Sequence, residues 1–330
     1  MRPFVPLFRN AHLATLAGNF WPRPLEEARF PTRLTLYQTA PDVCIAVEEN
    51  RPPGEARGEV LLLHGLEGSS RSGYLISLAQ RLLEAGFAVH RMNLRGCGFS
   101  EPHSPTLYHS GLTQDARSIL EQWRAEGRGP RFLGGFSLGG NVVLKLAGEM
   151  GESAAELVEG VCAVSTPIDL HACVRRISAP SNWIYHQKFI RSLRRRYARR
   201  HAMDPERFPD RGIRRIRTIF EFDDRITAPF FGFGDAPNYY ATQSSLRFLP
   251  GIRVPALLVQ AEDDPMIPFG LYGREEVRSN PWLRLLAVPY GGHLGFLARG
   301  PRRFWLDEVL CGWLEQLGNK VPPASVSTQG

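Results

Sequence analysis

Apolar residues in this chain fall into short unbroken runs separated by longer stretches with a helical period. Val60-Leu61-Leu62-Leu63, Phe87-Ala88-Val89, Phe132-Leu133, Val161-Cys162-Ala163-Val164, Ala256-Leu257-Leu258-Val259 and Leu285-Leu286-Ala287-Val288 are wholly apolar, as strands buried on both faces of a parallel sheet are. Between them, apolar positions recur every three or four residues. Leu78, Leu82 and Leu83 share one face ahead of Gly86, which can end that helix. Leu112, Ala116, Ile119, Leu120 and Trp123 form a second such face, and Leu310, Trp313, Leu314 and Leu317 form another near the end. Strand and helix in alternation predict an α/β fold with a mostly parallel central sheet and helices on both faces.

Two stretches break the alternation. Residues 1–30 carry Pro3, Pro6, Pro22 and Pro24 among aromatics and predict an irregular arm lying on the body. From about Pro167 to Ser245, two predicted strands are separated by far more chain than a crossover helix needs. This interval reads as a lid inserted in a body of residues 31–320. Its aromatic run, Phe230-Phe231-Gly232-Phe233 with Tyr239-Tyr240, would pack the lid onto that body or line an acyl pocket. Residues 321–330 are rich in Pro, Ser, Thr and Gly and predict a disordered tail.

Composition then removes whole classes of function. A content of 43% hydrophobic and 22% charged residues is that of a globular protein. No apolar stretch is long enough for a membrane-spanning helix, and the first residues lack the pattern of a secretory signal. Five scattered cysteines without a C-x-x-C pair predict reduced thiols in a cytoplasmic protein. A net charge of +7 would suggest nucleic acid, but the basicity is local. Residues 188–217 hold 12 Lys and Arg against 3 Asp and Glu, which leaves 28 basic against 30 acidic residues elsewhere. No nucleic-acid partner is expected. Arg191, Arg194, Arg195, Arg196, Arg199 and Arg200 read as a solvated helix face, with peripheral contact to anionic membrane lipids as the other use.

The chemistry concentrates in three loops. Gly135-Phe136-Ser137-Leu138-Gly139 follows a predicted strand and opens a helix bearing Val142, Val143, Leu146 and Ala147. In that context G-x-S-x-G is a nucleophile elbow, a tight strand-to-helix turn that needs small residues two positions either side of the serine. Such a hydroxyl requires a base, and the base requires a third group to hold it. In elbow enzymes the chain order is serine, acid, histidine. Asp263-Asp264-Pro265 and Gly291-Gly292-His293 each follow a later predicted strand, which brings them to the same sheet edge. Asp264 is the expected acid, because Pro265 restricts its backbone to extended conformations. Asp263 is expected to face solvent or cap the turn. His64-Gly65-Leu66-Glu67-Gly68 follows the first apolar strand, so the oxyanion donors are expected to be the main-chain N–H groups of Leu66 and Leu138. The His64 ring comes too early in the order to be the base and is expected to brace its loop. His90, Cys97, His103 and His109 lack the spacing of a zinc site, and no phosphate-binding glycine motif is present. Neither a metal nor an organic cofactor is expected.

These motifs resemble the YheT-like branch of the α/β-hydrolases, whose eukaryotic relatives include abhydrolase-domain phospholipases and yeast medium-chain ethyl-ester synthases. Carrying the resemblance are Asn10-Ala11-His12-Leu13 with Thr15, His64 to Ser69, Arg95-Gly96-Cys97-Gly98, Tyr108-His109-Ser110-Gly111, Gly135 to Asn141, Glu221-Phe222-Asp223-Asp224, Asp263-Asp264-Pro265 and Gly291-Gly292-His293. The family's usual Gln before Thr15 is Ala14 here. The resemblance implies an α/β-hydrolase fold with Ser137, Asp264 and His293 at the triad positions, acting on short- to medium-chain or lipid esters through an acyl-enzyme. Its alternatives are an acyltransferase that hands the acyl group to an alcohol, and a lipid- or protein-binding module on a hydrolase fold.

Overall fold

The computed structural model describes residues 3–318, so the tail expected at 321–330 lies outside the described residues. Eight strands form one sheet: β1 (Arg33–Ala40), β2 (Val43–Asn50), β3 (Glu59–Leu63), β4 (Ala88–Met92), β5 (Arg131–Phe136), β6 (Gly160–Val164), β7 (Ala256–Ala261) and β8 (Leu283–Val288). Their order across the sheet is β1-β2-β4-β3-β5-β6-β7-β8. The six apolar runs are β3 to β8, all mutually parallel. Antiparallel β2 also carries an apolar run, Val43-Cys44-Ile45-Ala46-Val47, that is not among the predicted strands, whereas its partner β1 gives none. In β1 the apolar Leu34 and Leu36 are exposed, whereas buried Tyr37 donates to Glu49 and buried Thr39 donates to Asp115. Strand β1 is fastened by polar contacts, so hydrophobic pattern alone does not reveal it.

Alternate residues of each central strand serve opposite cores. Leu61, Leu63, Leu133 and Leu258 pack with α3 (Gln114–Ala125) and α4 (Leu138–Met150). Val60, Leu62, Phe132 and Leu257 pack with α2 (Gly73–Glu84) and the last helix, Trp305–Gly318. Each such leucine, fully buried, stabilises the fold by about 2 kcal/mol. The result is a rigid sheet whose carboxyl edge carries the loops of interest.

The N-terminal arm is not irregular throughout. Ala11–Phe20 form a helix, α1, because the Asn10 side chain accepts from the Leu13 N–H at 3.0 Å and so caps it. Small residues let α1 lie against the body. A Cβ on Gly18 would come within 2.6 Å of the Gly295 Cα.

Between β6 and β7 the chain inserts a helical segment that includes α5 (Leu170–Ile177), α6 (Trp183–Met203) and the helix Ala236–Gln243. It has a core of its own, with Ile190, Leu193, Tyr197, Phe208, Ile216 and Phe222. The arginine cluster on α6 is not one solvated face. Arg196 and Arg200 are buried, at 9% and 4% exposure, whereas Arg191, Arg195 and Arg199 are exposed. Helical spacing explains the split, since positions 190, 193, 196, 197 and 200 share the inward stripe. No helix among the described residues is long and apolar enough to cross a membrane.

Candidate active site

Register aligns Leu63 of β3 with Gly135 of β5, so the loops that follow these strands meet. Ser137 adopts φ 51° and ψ −120°, a conformation costing an L-residue on the order of 1–3 kcal/mol. Its N–H is held by the Val164 carbonyl at 2.8 Å, and its own carbonyl accepts from the Gly140 N–H. The flanking glycines are sterically required. A Cβ on Gly135 would lie 2.2 Å from the Gly139 carbonyl oxygen, and one on Gly139 would lie 2.6 Å from that of Leu63. Leu138 is the first residue of α4, where a backbone N–H has no acceptor within the helix.

His293 Nε2 lies 3.0 Å from Ser137 Oγ, and its Nδ1 lies 2.9 Å from Asp264 Oδ2. The structure therefore brings together the three residues singled out in the sequence. Asp264 is buried, and its Oδ1 accepts from the Met266 and Ile267 N–H groups at 2.8 and 3.1 Å. Those two bonds fix the carboxylate and leave Oδ2 aimed at the ring. Asp263 neither faces solvent freely nor caps its own turn. Its Oδ1 accepts from the Gly292 N–H at 2.8 Å, tying the acid loop to the histidine loop, and burial raises its carboxyl above the ordinary range.

The histidine loop is braced from an unexpected direction. Thr15 Oγ1 on α1 accepts from the His293 N–H at 2.9 Å and donates to the Ala11 carbonyl at 2.7 Å. A Cβ on Gly292, at φ 59°, would lie 2.4 Å from that same carbonyl oxygen. Glycine is thus required here on both conformational and steric grounds. Thr15 stood out in the sequence only as part of a family motif.

His64 is fully buried. Its Nδ1 donates to the Gly65 carbonyl at 2.8 Å, and its Nε2 accepts from the Leu94 N–H at 3.1 Å. Burial pushes its pKa down to about 4, so the ring is neutral and braces the loop carrying Leu66. The next residue, Glu67, sits at φ 58°, and its carboxylate meets the helical insertion. It pairs with Arg196 at 3.1 Å and accepts from Ser192 Oγ at 2.6 Å and Tyr108 Oη at 3.2 Å. Arg196 also donates to Cys97 Sγ at 2.9 Å and lies over the Tyr108 ring. A buried ion pair thus joins α6 to the loop beside Leu66. The signal for it was the spacing of Arg196 from Ile190, Leu193 and Tyr197, masked by the run of surrounding arginines. Of the histidines and cysteine that lack zinc spacing, three have their partners in different places. His90 contacts Glu49 and Glu59, Cys97 contacts Arg196, and His109 packs against Phe231 and Phe233.

Two cavities meet at Ser137. One, of about 100 Å³, is apolar and runs under the insertion between Leu66, Leu138, Leu170, Val174, Phe222 and Ile267. The other is a cleft of about 730 Å³ walled by α1 and α6. Ser137, His293 and Leu66 border both.

Residues 59–299 match the family model described as the alpha/beta hydrolase fold. The chain is 30% identical to the YheT protein of Escherichia coli (strain K12), covering 94% of this chain and 92% of that one. It is 32% identical to the monoacylglycerol lipase of Saccharomyces cerevisiae over 81% of this chain, but spans only 61% of that lipase. It is 28% identical to phospholipase ABHD3 of Mus musculus over 73% of this chain and spans 59% of that enzyme. Among solved structures, the esterase Pf2001 of Pyrococcus furiosus matches 89% of this chain and 98% of its own, with a TM-score of 0.60 at 16% identity, which is a likeness of fold. The parallel sheet, the serine turn at its carboxyl edge and these sequence matches agree, and the chain belongs to the α/β-hydrolase family, in its YheT-like branch.

Proposed function

We propose that the protein is a serine hydrolase of carboxylic esters, with Ser137 as nucleophile, His293 as general base and Asp264 as the acid that orients it. The observation carrying this reading is the continuous hydrogen-bonded line from Asp264 through His293 to Ser137, at 2.9 and 3.0 Å, where the two cavities meet. His293 Nε2 takes the hydroxyl proton as Ser137 Oγ attacks the ester carbonyl carbon. The negative charge that develops on the carbonyl oxygen is met by the N–H groups of Leu66 and Leu138, each such donor being worth about 10²–10³ in kcat. Asp264 stabilises the imidazolium, which then protonates the departing alcohol. Water, activated by His293, attacks the acyl-enzyme, releasing the acid and restoring Ser137.

The apolar cavity suits the acyl chain and the open cleft suits the alcohol portion and entering water. That division fits short- to medium-chain or lipid esters, and monoacylglycerol and phospholipids are named among the substrates of its relatives. The helical insertion acts as a lid over the acyl cavity, and the five unpaired cysteines suit a reducing compartment. Labelling with a fluorophosphonate and hydrolysis of a p-nitrophenyl ester series test the reading. Ser137→Ala should abolish labelling and lower kcat by about 10⁴-fold or more. A folded Ser137→Ala protein that keeps a tenth of wild-type turnover would dispose of the serine mechanism. With ethanol present, accumulation of ethyl ester instead of free acid would identify an acyltransferase.

A further inference from the structure

We infer that the mouth of the active-site cleft is a docking face for an anionic lipid bilayer. The inference deepens the esterase reading by supplying the surface on which that site would meet lipid esters. Two stripes carry it. On α1, the buried face is small (Ala14, Thr15 and Gly18), whereas the large apolar residues Leu13, Leu16 and Phe20 point outward, Phe20 at 74% exposure. This is the reverse of a core-packed helix. On α6, Ile184, Lys188, Arg191 and Arg195 recur at i, i+4, i+7 and i+11 and share one face. Ile184 is 65% exposed beside Trp183 at 59%. Both stripes border the cleft that leads to Ser137, and the two helices are tied there by His12 Nδ1 and Tyr185 Oη at 3.1 Å.

Charge complementarity selects the occupant. Neither α1 nor α6 contains an Asp or Glu, and none of Lys188, Arg191 and Arg195 pairs with a carboxylate among the described residues. Protruding apolar side chains beside uncompensated cations fit an interface of acyl chains and anionic headgroups. Seated there, the cleft mouth faces the membrane, and an ester leaving the bilayer reaches Ser137 without crossing water.

Sedimentation of the full chain with vesicles of equimolar phosphatidylcholine and phosphatidylglycerol, or of phosphatidylcholine alone, tests this. The catalytically silent Ser137→Ala protein serves as well as wild type, so the result does not depend on the chemistry of the triad. Binding is expected to the anionic vesicles at low salt and to weaken at high salt. Lys188→Gln, Arg191→Gln and Arg195→Gln combined should lower partitioning about a hundredfold, at about fivefold per cation. Phe20→Ser with Ile184→Ser should weaken partitioning at high and low salt alike. These residues are exposed, so the variants should fold, and an unchanged melting curve verifies it. The proposal is overturned if wild type ignores anionic vesicles at low salt, or if the triple variant binds as well as wild type. It is equally overturned if the chain dimerises through this face, with dimers lost in Phe20→Ser.

Discussion

Replacing Arg196 with methionine keeps the apolar stem of the side chain but leaves the Glu67 carboxylate without its cation, beside the loop that carries Leu66. Glu67 and Arg196 are 7% and 10% exposed at their side chains and 3.1 Å apart, and removing one partner of such a buried pair costs about 3–5 kcal/mol. The loop can escape that cost by shifting Glu67 toward water. Opposing the shift are the bonds from the Glu67 N–H to Tyr108 Oη at 3.1 Å and from the Gly68 N–H to the Gly65 carbonyl at 3.0 Å, and those the carboxylate accepts from Ser192 Oγ and Tyr108 Oη, together worth about 4 kcal/mol. Release of the positive φ at Glu67 favours the shift further. The stranded charge and the released positive φ together outweigh these bonds, so the loop moves and the adjacent Leu66 N–H leaves the position proposed for an oxyanion donor. Turnover of p-nitrophenyl butyrate should therefore fall about 10²–10³-fold in kcat, with a smaller change in KM. Combining it with Glu67→Gln strands no charge, so the double variant should recover at least about tenfold. Arg199→Met, which removes only an exposed pair with Glu101, should stay within about twofold. If folded Arg196→Met turns over within fivefold of wild type, the ion pair does not position the loop.

Other outcomes follow from the same geometry. Asp264→Asn should lower kcat by up to about 10⁴-fold by favouring the wrong histidine tautomer. Asp263→Asn, which keeps an acceptor for the Gly292 N–H, should cost less than about tenfold, and equal losses in the two would contradict the assignment. Thr15→Val removes the acceptor of the His293 N–H and should cost about tenfold in kcat, at about 1–2 kcal/mol for one lost buried bond. Thr15→Ser should restore the rate, and a Thr15→Val enzyme of normal activity would show that α1 does not position the base. Burial holds His64 at about 4 and His109 at about 3, whereas in the unfolded chain both take up protons near 6.5. The unfolded state therefore gains these protons first as pH falls, so each ring should cost at most about 3 kcal/mol of stability between pH 6.5 and 4, opposed by Asp223 and Asp307, which burial raises to about 6 and about 7. Melting temperatures of wild type and of His109→Gln across that range decide it: the variant should lose less stability toward pH 4, and an equal loss in both would mean that the fold does not hold this ring neutral.

Strands β3 to β8 were legible because each holds a run of consecutive apolar residues, a local signal that burial on both faces demands of β3 to β7 and that half-buried β8 shares at the sheet edge. So were Ser137, Asp264 and His293. Each stands at the end of such a run, and G-x-S-x-G records a steric need that its own five residues impose. Strand β1 was not legible, because Tyr37 and Thr39 are held by Glu49 and Asp115, the second of which lies 76 residues from its partner. Nor were the roles of Thr15, Asp263 and Arg196. Each is one polar side chain whose meaning depends on what lies opposite. Thr15 meets a residue 278 positions away and Arg196 one 129 positions away. Periodicity and turn chemistry report which face of an element is buried and where the chain must bend, since both are settled within a few residues. Which buried polar group answers which, and so how His293 and the loop of Leu66 are held in place, is decided only when distant segments pack together and every desolvated charge must find its partner.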